Sequence, residues 1–206
     1  MKFFCLPILL CFALPHSSQG VPSSAPAPNL HYALLNDISG KTLWPKGTEQ
    51  QVNLATQFLE QVVRPGTDVG SLVNFGEKSY LDVQNSNEPV VLKAKLIHEG
   101  HGGTRAWDAV VAAANWLDKY QFPDSRKAIF LFSDGDDNGS QWPLQKVITS
   151  VQAVHVPVFV IAPAVVEHKK QGKDLRQLAS ETGGHVYFVS KTNTCDFKAL
   201  KQDLGR

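Results

Sequence analysis

The stretch Lys127 to Gly139, KAIFLFSDGDDNG, decides the fold of this chain. It holds an uninterrupted apolar run, Ala128 to Phe132, which is followed at once by Ser133 and Asp134. Successive apolar residues cannot alternate between core and water, so the run predicts a strand buried on both faces, as in a parallel sheet covered by helices. Open α/β sheets bind their ligands outside the carboxyl ends of such strands. Asp134 is therefore the first candidate functional residue.

The composition indicates one ordinary globular domain. The chain has 206 residues, of which 43% are hydrophobic and 19% are charged, values typical of a folded domain. The formal net charge of +1 argues against a strongly basic nucleic-acid surface and against a polybasic membrane anchor. We therefore expect no nucleic-acid partner.

The first 20 residues have the pattern of a secretory signal peptide. Lys2 gives a positive start, Phe3 to Leu14 form an apolar stretch, and the small residues Ser18 and Gly20 precede an expected cleavage after Gly20. The apolar stretch is too short to cross a bilayer as a helix. We expect a secreted or periplasmic protein with no membrane span after the signal is removed.

Residues 21–29, VPSSAPAPN, predict a linker, which places a single domain over residues 30–206. Removal of residues 1–20 would take away Cys5 and Cys11 and leave Cys195 as the one mature cysteine. No internal disulfide is then expected, so the fold must depend on its hydrophobic core.

Strand and helix patterns alternate along the domain. A strand over 31–36 precedes a helix from about Thr48, where Thr48 and Gln51 form a capping box. Strands at 68–75 and 79–83 are close enough to form an antiparallel hairpin. Further helices are predicted at 87–98, from 104, and at 144–151, 174–181 and 196–204, and further strands at 128–132, 155–162 and 186–189. This order predicts an α/β fold with a doubly wound, mostly parallel sheet and helices on both faces.

Polar residues stand at three related places in this pattern. Asp37 and Ser39 follow the first strand, Thr104 follows a glycine-rich loop, and Asp134 follows the central strand. Carboxylate and hydroxyl oxygens are ligands that suit a hard divalent cation such as Mg²⁺. The sequence therefore predicts a metal site if these loops converge.

Five segments carry a family resemblance: ALLNDISGK (33–41), LEQVVRPGTDVGSLVNF (59–75), GGTRAWDAV (102–110), KAIFLFSDGDDN (127–138) and LASETGGHVYF (178–188). In these segments the sequence resembles the von Willebrand factor type A domain, and more narrowly the exported bacterial, VWFA-related group. The resemblance implies a Rossmann-like sheet of order 3-2-1-4-5-6 whose third strand is antiparallel.

The resemblance also implies a metal-ion-dependent adhesion site. By that pattern Asp37, Ser39, Thr104 and Asp134 are ligands of Mg²⁺ or Mn²⁺, some of them through water. An Asp or Glu side chain from a protein partner would complete the coordination. The expected function is thus protein binding of the adhesion type and not enzymatic catalysis.

One position departs from the family pattern. The second serine of D-x-S-x-S is replaced by Lys41. An ammonium group close to two carboxylates attracts them and would compete with the metal, and the domain would then bind proteins without a metal. Alternatively, the long stem of lysine lets the charge extend into solvent and leaves the other ligands usable.

Two nucleotide- or calcium-binding patterns match only in part. Ser39 to Thr42 ends like a phosphate-binding loop, but Leu35 stands where the leading glycine belongs. Asp134 to Gly139 begins like a calcium loop, but Gln145 stands where the bidentate glutamate belongs. Both patterns are weaker than the von Willebrand resemblance.

Several residues are candidates for the rim of the site. His98 and His101 flank the glycine-rich loop and could serve a hydrolase as bases, but no nucleophile motif accompanies them. Asp136 and His101 are expected at the rim. Trp44 and Trp142 could line it or lie buried under a loop.

Overall fold

The computed structural model describes residues 29–120, 122, 124–190, 195 and 197–206. The signal and most of the linker predicted for residues 1–29 lie outside these residues, as does Asp196. The strands are β1 (Leu30–Asp37), β2 (Val69–Phe75), β3 (Ser79–Ser86), β4 (Arg126–Phe132), β5 (Val158–Pro163) and β6 (Val186–Val189). The helices are α1 (Gly47–Gln61), α2 (Pro89–Lys93), α3 (Ala106–Lys119), α4 (Leu144–Ala153), α5 (Lys170–Thr182) and α6 (Lys198–Asp203), with a short 3₁₀ helix at Ala164–Val166.

All six strands form one sheet in the order β3-β2-β1-β4-β5-β6. Every neighbouring pair is parallel except β2 and β3, which are antiparallel. The predicted order, the hairpin and the antiparallel third strand are therefore confirmed. Because the chain moves outward from β1 in both directions, the strand order reverses between β1 and β4, and a crevice is expected there.

The sheet has a hydrophobic core on each face. Along β4, Ile129 and Leu131 belong to the core cluster that includes residues of α3, α4 and α5, whereas Ala128, Phe130 and Phe132 belong to the cluster that includes residues of α1, α2 and α6. All five side chains are fully buried, which explains why the run has no polar residue. Among the described helices, none is long and apolar enough to span a bilayer.

The predicted capping box at the start of α1 is wrong. The helix begins at Gly47 without a side-chain cap, and the Thr48 hydroxyl donates instead to the carbonyl of His98. Gln51 is buried and donates to Asn36 Oδ1 (2.9 Å) and to the carbonyl of Asp37 (2.7 Å). Both side chains that the local pattern assigned to a helix cap thus form hydrogen bonds to residues outside the helix.

The helix predicted over 87–98 is also too long, because α2 ends at Lys93. Asn74 on β2 donates to the carbonyl of Lys95 (3.0 Å) and accepts from the backbone N–H of Ile97 (3.4 Å). These contacts satisfy backbone groups that a continuing helix would have used. The segment after α2 is therefore held against the sheet as a loop, below the candidate site.

Candidate metal-binding site

The three predicted polar segments meet at the carboxyl ends of β1 and β4. Asp37 is the last residue of β1, and the pairing of Asn36 with Phe132 places Ser133 beside it. Asp134 comes next in the chain, at the reversal of strand order. The sheet register alone therefore brings the two carboxylates to one place.

Asp37 is held by two serines. The residue is buried and only 4% exposed. Oδ1 accepts from the backbone N–H of Ser39 (2.9 Å), and Oδ2 accepts from the hydroxyl of Ser133 (2.7 Å). The Ser39 hydroxyl also hydrogen-bonds to this carboxylate. Each oxygen of a carboxylate has two lone pairs, so acceptor capacity remains for a cation.

Asp134 is held by two backbone N–H groups and is 1% exposed. Its Oδ2 accepts from the backbone N–H of Leu43 (2.6 Å), and its Oδ1 accepts from the backbone N–H of Asp136 (2.9 Å). The segment from Ser39 to Leu43 is consequently tied to Asp37 at one end and to Asp134 at the other. We call residues 39–43 the bridging segment.

Thr104 joins the same cluster through the loop after β4. Its N–H donates to Asn138 Oδ1 (3.0 Å), and its carbonyl accepts from the N–H groups of Asn138 (3.2 Å) and Gly139 (3.0 Å). Asp137 Oδ1 accepts from the N–H of Ala106 (2.9 Å), so this loop caps α3, which begins at Ala106 and not at the predicted Thr104. The Thr104 hydroxyl makes no hydrogen bond to a described residue, and the residue is 2% exposed.

The glycine-rich loop before Thr104 packs directly on the start of the bridging segment. The N–H of His101 donates to the carbonyl of Ile38 (2.9 Å), and the N–H of Gly40 donates to the carbonyl of Gly102 (3.2 Å). A Cβ at Gly100 would lie 2.3 Å from the carbonyl oxygen of Ser39. Glycine is therefore required at 100, because a side chain there would push the two loops apart.

The electrostatics of the cluster are unbalanced. Burial raises the pKa of Asp37 from 3.8 to about 6, its serine hydrogen bonds oppose the rise, and the nearby charge of Asp134 adds to it. Within the part of the chain that the structure describes, no Lys, Arg or His side chain forms an ion pair with either carboxylate. Two buried like charges without a counter-charge are costly, so the arrangement favours a bound cation.

Lys41 does not supply that counter-charge. It lies in the middle of the bridging segment, its side chain is exposed, and it makes no ion pair within 4.0 Å of a described carboxylate. An exposed Lys41 agrees with the alternative in which the ammonium extends into solvent.

The rim residues divide into exposed and buried groups. His98 and His101 are exposed, and neither ring hydrogen-bonds to a described residue, so no base and nucleophile pair is formed there. Asp136 is half-buried and touches Asp134 through its backbone. Trp142 is 36% exposed, whereas Trp44 is buried in the core at 3%.

The family model of the von Willebrand factor type A domain matches residues 33–202 of this chain. The chain belongs to this family. The fold and family expected from the sequence are therefore confirmed.

Three proteins of known identity are similar to this chain. The bovine (Bos taurus) calcium-activated chloride channel regulator 1 is 26% identical over 144 residues, which cover 66% of this chain and 15% of that protein. This chain therefore spans a small part of that relative's length. An aerotolerance-related membrane protein from Bacteroides fragilis has a TM-score of 0.62 at 16% identity, covering 85% of this chain and 98% of its own.

A third similar structure is proximal thread matrix protein 1 from the mussel byssus, whose metal-ion-dependent adhesion site is occupied by zinc. Its TM-score is 0.63 at 16% identity, covering 86% of this chain and 45% of that chain. At such low identity the likeness shows the fold alone.

The residues of this type A domain fit a hard divalent cation. Two carboxylates (Asp37 and Asp134) and two hydroxyl residues (Ser39 and Thr104) are buried in the loops that meet here, and oxygen donors of this kind suit Mg²⁺ or Mn²⁺. No group of three or more His, Cys, Asp or Glu side chains in the described ranges is arranged to hold a metal. A cation held by the described residues would therefore need mixed carboxylate and hydroxyl ligands, with waters or a partner group completing the coordination.

Sequence reasoning did not find three groups that hold the site together. These are the hydroxyl of Ser133, the backbone N–H of Leu43 and the side chain of Asn138. Ser133 could have been found by extending the pairing of the two central strands by one residue, because neighbouring parallel strands end side by side. The other two contacts depend on loop conformations that no local pattern specifies.

Proposed function

We propose that this domain captures an acidic side chain of a protein partner through a divalent cation held by Asp37, Ser39, Thr104 and Asp134. The observation that carries the proposal is the pair of buried carboxylates that form no ion pair with a described residue, one of which, Asp37, accepts hydrogen bonds from Ser39 and Ser133. A bound cation would neutralise the two carboxylates and act as a Lewis acid toward a partner carboxylate. The family, whose members are mostly interaction modules, supports the same assignment.

The protein supplies the rigidity of the site. Ser133 and Leu43 hold one oxygen of each carboxylate, which orients the remaining lone pairs. The Thr104 hydroxyl is positioned by the backbone contacts of Thr104 to Asn138 and Gly139. Because the oxygen atoms of the site are held in place before a cation binds, little conformational entropy is lost on binding.

The experiment that tests the proposal is a calorimetric and thermal-shift titration of the purified domain with Mg²⁺ and Mn²⁺. We expect saturable binding and a rise in the melting temperature, since a ligand that binds only the folded state stabilises it by mass action. Ca²⁺ and K⁺ serve as comparison ions. Absence of heat and of any thermal shift at millimolar Mg²⁺ and Mn²⁺ would falsify the proposal and favour a metal-independent interaction module.

The stability of the metal-free domain should depend on pH through Asp37. Because the pKa of this group rises from 3.8 to about 6 on folding, the stabilisation from its proton is complete below pH 3.8 and is lost as the pH rises through about 6. In EDTA, this group alone should lower the free energy of unfolding by up to about 3 kcal/mol over that window, at 1.36 kcal/mol for each pKa unit. Saturating Mg²⁺ should offset the loss at the upper end.

Urea denaturation at stepped pH in EDTA measures this effect. Asp37→Asn is the control, because asparagine cannot titrate, and the quantity to follow is the difference in unfolding free energy between the parent and this variant. A difference that stays constant between pH about 4 and about 6.5 would show that Asp37 does not titrate as stated.

Export of the domain stays a prediction, based on the pattern of residues 1–20 and on the linker at 21–29. The partner expected from the proposed mechanism is a protein that presents Asp or Glu on an accessible surface.

A further inference from the structure

Lys41 has an unusual place for an unpaired cation. It stands midway along the bridging segment, whose Ser39 and Leu43 N–H groups bind the carboxylates of Asp37 and Asp134. Its backbone is thus only two residues from a contact with each candidate metal ligand. The Lys41 side chain is nevertheless exposed and is not paired with any described acidic residue.

Asp136, the acidic residue expected at the rim of the site, forms no ion pair with Lys41. Asp136 is half-buried and contacts Asp134 through its backbone N–H. The flexible stem of a lysine reaches roughly 6 Å from its Cα. Consequently, the ammonium can move over the mouth of the site while its charge stays available to a ligand outside.

We propose that Lys41 is a specificity residue that selects partners with two neighbouring acidic side chains, one directed at the cation and the other at Lys41. This inference rests on the proposed function. A partner carboxylate that binds the cation already has its charge neutralised there. The Lys41 ammonium would therefore pair with a second acidic group of the partner. A type A domain with serine at this position would lack that second contact.

The test uses two capped pentapeptides that differ in one residue. The first carries glutamate at its second and fourth positions, and the second carries glutamine and glutamate there. Each is titrated into the ¹⁵N-labelled domain in saturating Mg²⁺, and affinities are read from amide chemical shifts. We expect the two-acid peptide to bind about three- to five-fold more tightly, the size of one exposed ion pair, and the preference to shrink at high salt.

Two variants assign the preference to its residue. Lys41→Ser should bind both peptides equally while it keeps or strengthens Mg²⁺ binding in a titration without peptide. Lys46→Gln is the matched control, since Lys46 is exposed in the same loop and should retain the preference. Both Mg²⁺ titrations also show whether either variant still folds its site.

The outcomes separate this inference from the function on which it rests. Equal binding of the two peptides by the parent, or a preference that survives Lys41→Ser, would overturn the role of Lys41 while leaving cation-dependent capture intact. Failure of Mg²⁺ to bind, or failure of both peptides to bind in Mg²⁺, would overturn both.

Discussion

Replacing Asp134 by asparagine is expected to reduce the affinity for Mg²⁺ by about 100-fold or more. The change removes one of the two buried charges that attract the cation, and ligand charge strongly sets the affinity of oxygen sites. Asparagine also places an amide N–H₂ where either Leu43 or Asp136 now donates a backbone N–H. Calorimetry in Mg²⁺ and in Mn²⁺ measures the loss.

Asp136→Asn is the matched control for this substitution. Asp136 lies two residues away, and its contact with Asp134 is made by its backbone, so its carboxylate can be removed without changing the ligand set. We expect it to retain most of the parent affinity. In EDTA, Asp134→Asn removes one of two buried like charges, which stabilises the domain, and leaves one backbone N–H without an acceptor, which costs about 1 to 3 kcal/mol. These effects oppose each other, so the variant is expected to stay folded, and urea denaturation in EDTA checks this. Parent-like Mg²⁺ binding by Asp134→Asn would exclude Asp134 as a ligand.

The second large effect is expected at the opposite end of the sheet, where Asp68 and Arg206 form a buried ion pair. The two guanidinium nitrogens lie 2.6 and 2.7 Å from the two carboxylate oxygens, and the side chains are 0% and 3% exposed. Arg206 also donates to the carbonyl of Val62 (2.9 Å), and Asp68 accepts from the N–H of Arg64 (2.7 Å). The pair joins the segment after α6 to the connection between α1 and β2.

We expect Asp68→Asn to lower the free energy of unfolding by about 3 to 5 kcal/mol, because the substitution leaves a buried guanidinium without its counter-charge. This loss is a substantial part of the free energy of unfolding of a typical domain, which is about 5 to 15 kcal/mol. Urea denaturation at neutral pH measures the change. The double variant Asp68→Asn with Arg206→Met should recover part of the loss, since it no longer buries an unpaired charge.

An exposed ion pair provides the comparison. Lys93 and Glu60 are paired at the surface with side-chain exposures of 46% and 54%, so Glu60→Gln should cost about 1 kcal/mol or less. Equal costs for Asp68→Asn and Glu60→Gln would contradict the importance assigned to burial. Mg²⁺ affinity should be unchanged in Asp68→Asn where the domain is folded, because Asp68 precedes β2 whereas the candidate site follows β1 and β4.

The buried charges of this domain have two different roles: Asp37 and Asp134 are proposed to bind a cation, whereas Asp68 and Arg206 are expected to stabilise the fold. At the carboxyl ends of β1 and β4, no described residue forms an ion pair with the buried carboxylates of Asp37 and Asp134, an arrangement that would lower stability without a cation and favour the binding of one. At the other edge, Asp68 and Arg206 balance each other. The same physical cost of burying a charge thus indicates a ligand site in one place and a structural contact in the other.

The sequence by itself determined the elements that depend on neighbouring residues. The apolar run of Ala128 to Phe132 predicted a strand buried on both faces, and the structure buries it on both. The family motifs predicted the strand order and named the carboxylates of Asp37 and Asp134, which the structure brings to one edge. Hydrophobic periodicity and short motifs survive in the linear chain, because they reflect whether each residue and its near neighbours face water or core.

Only the tertiary structure decided which groups hold those carboxylates and where Lys41 points. Ser133 reaches Asp37 across 96 positions of sequence and Leu43 reaches Asp134 across 91, while Gln51 supports the end of β1 where a local rule assigned it to a helix cap. The physical reason is that a polar side chain has many partners of similar strength available in the unfolded chain. The partner it takes is fixed only when the folded backbone brings distant loops together and removes the competing water.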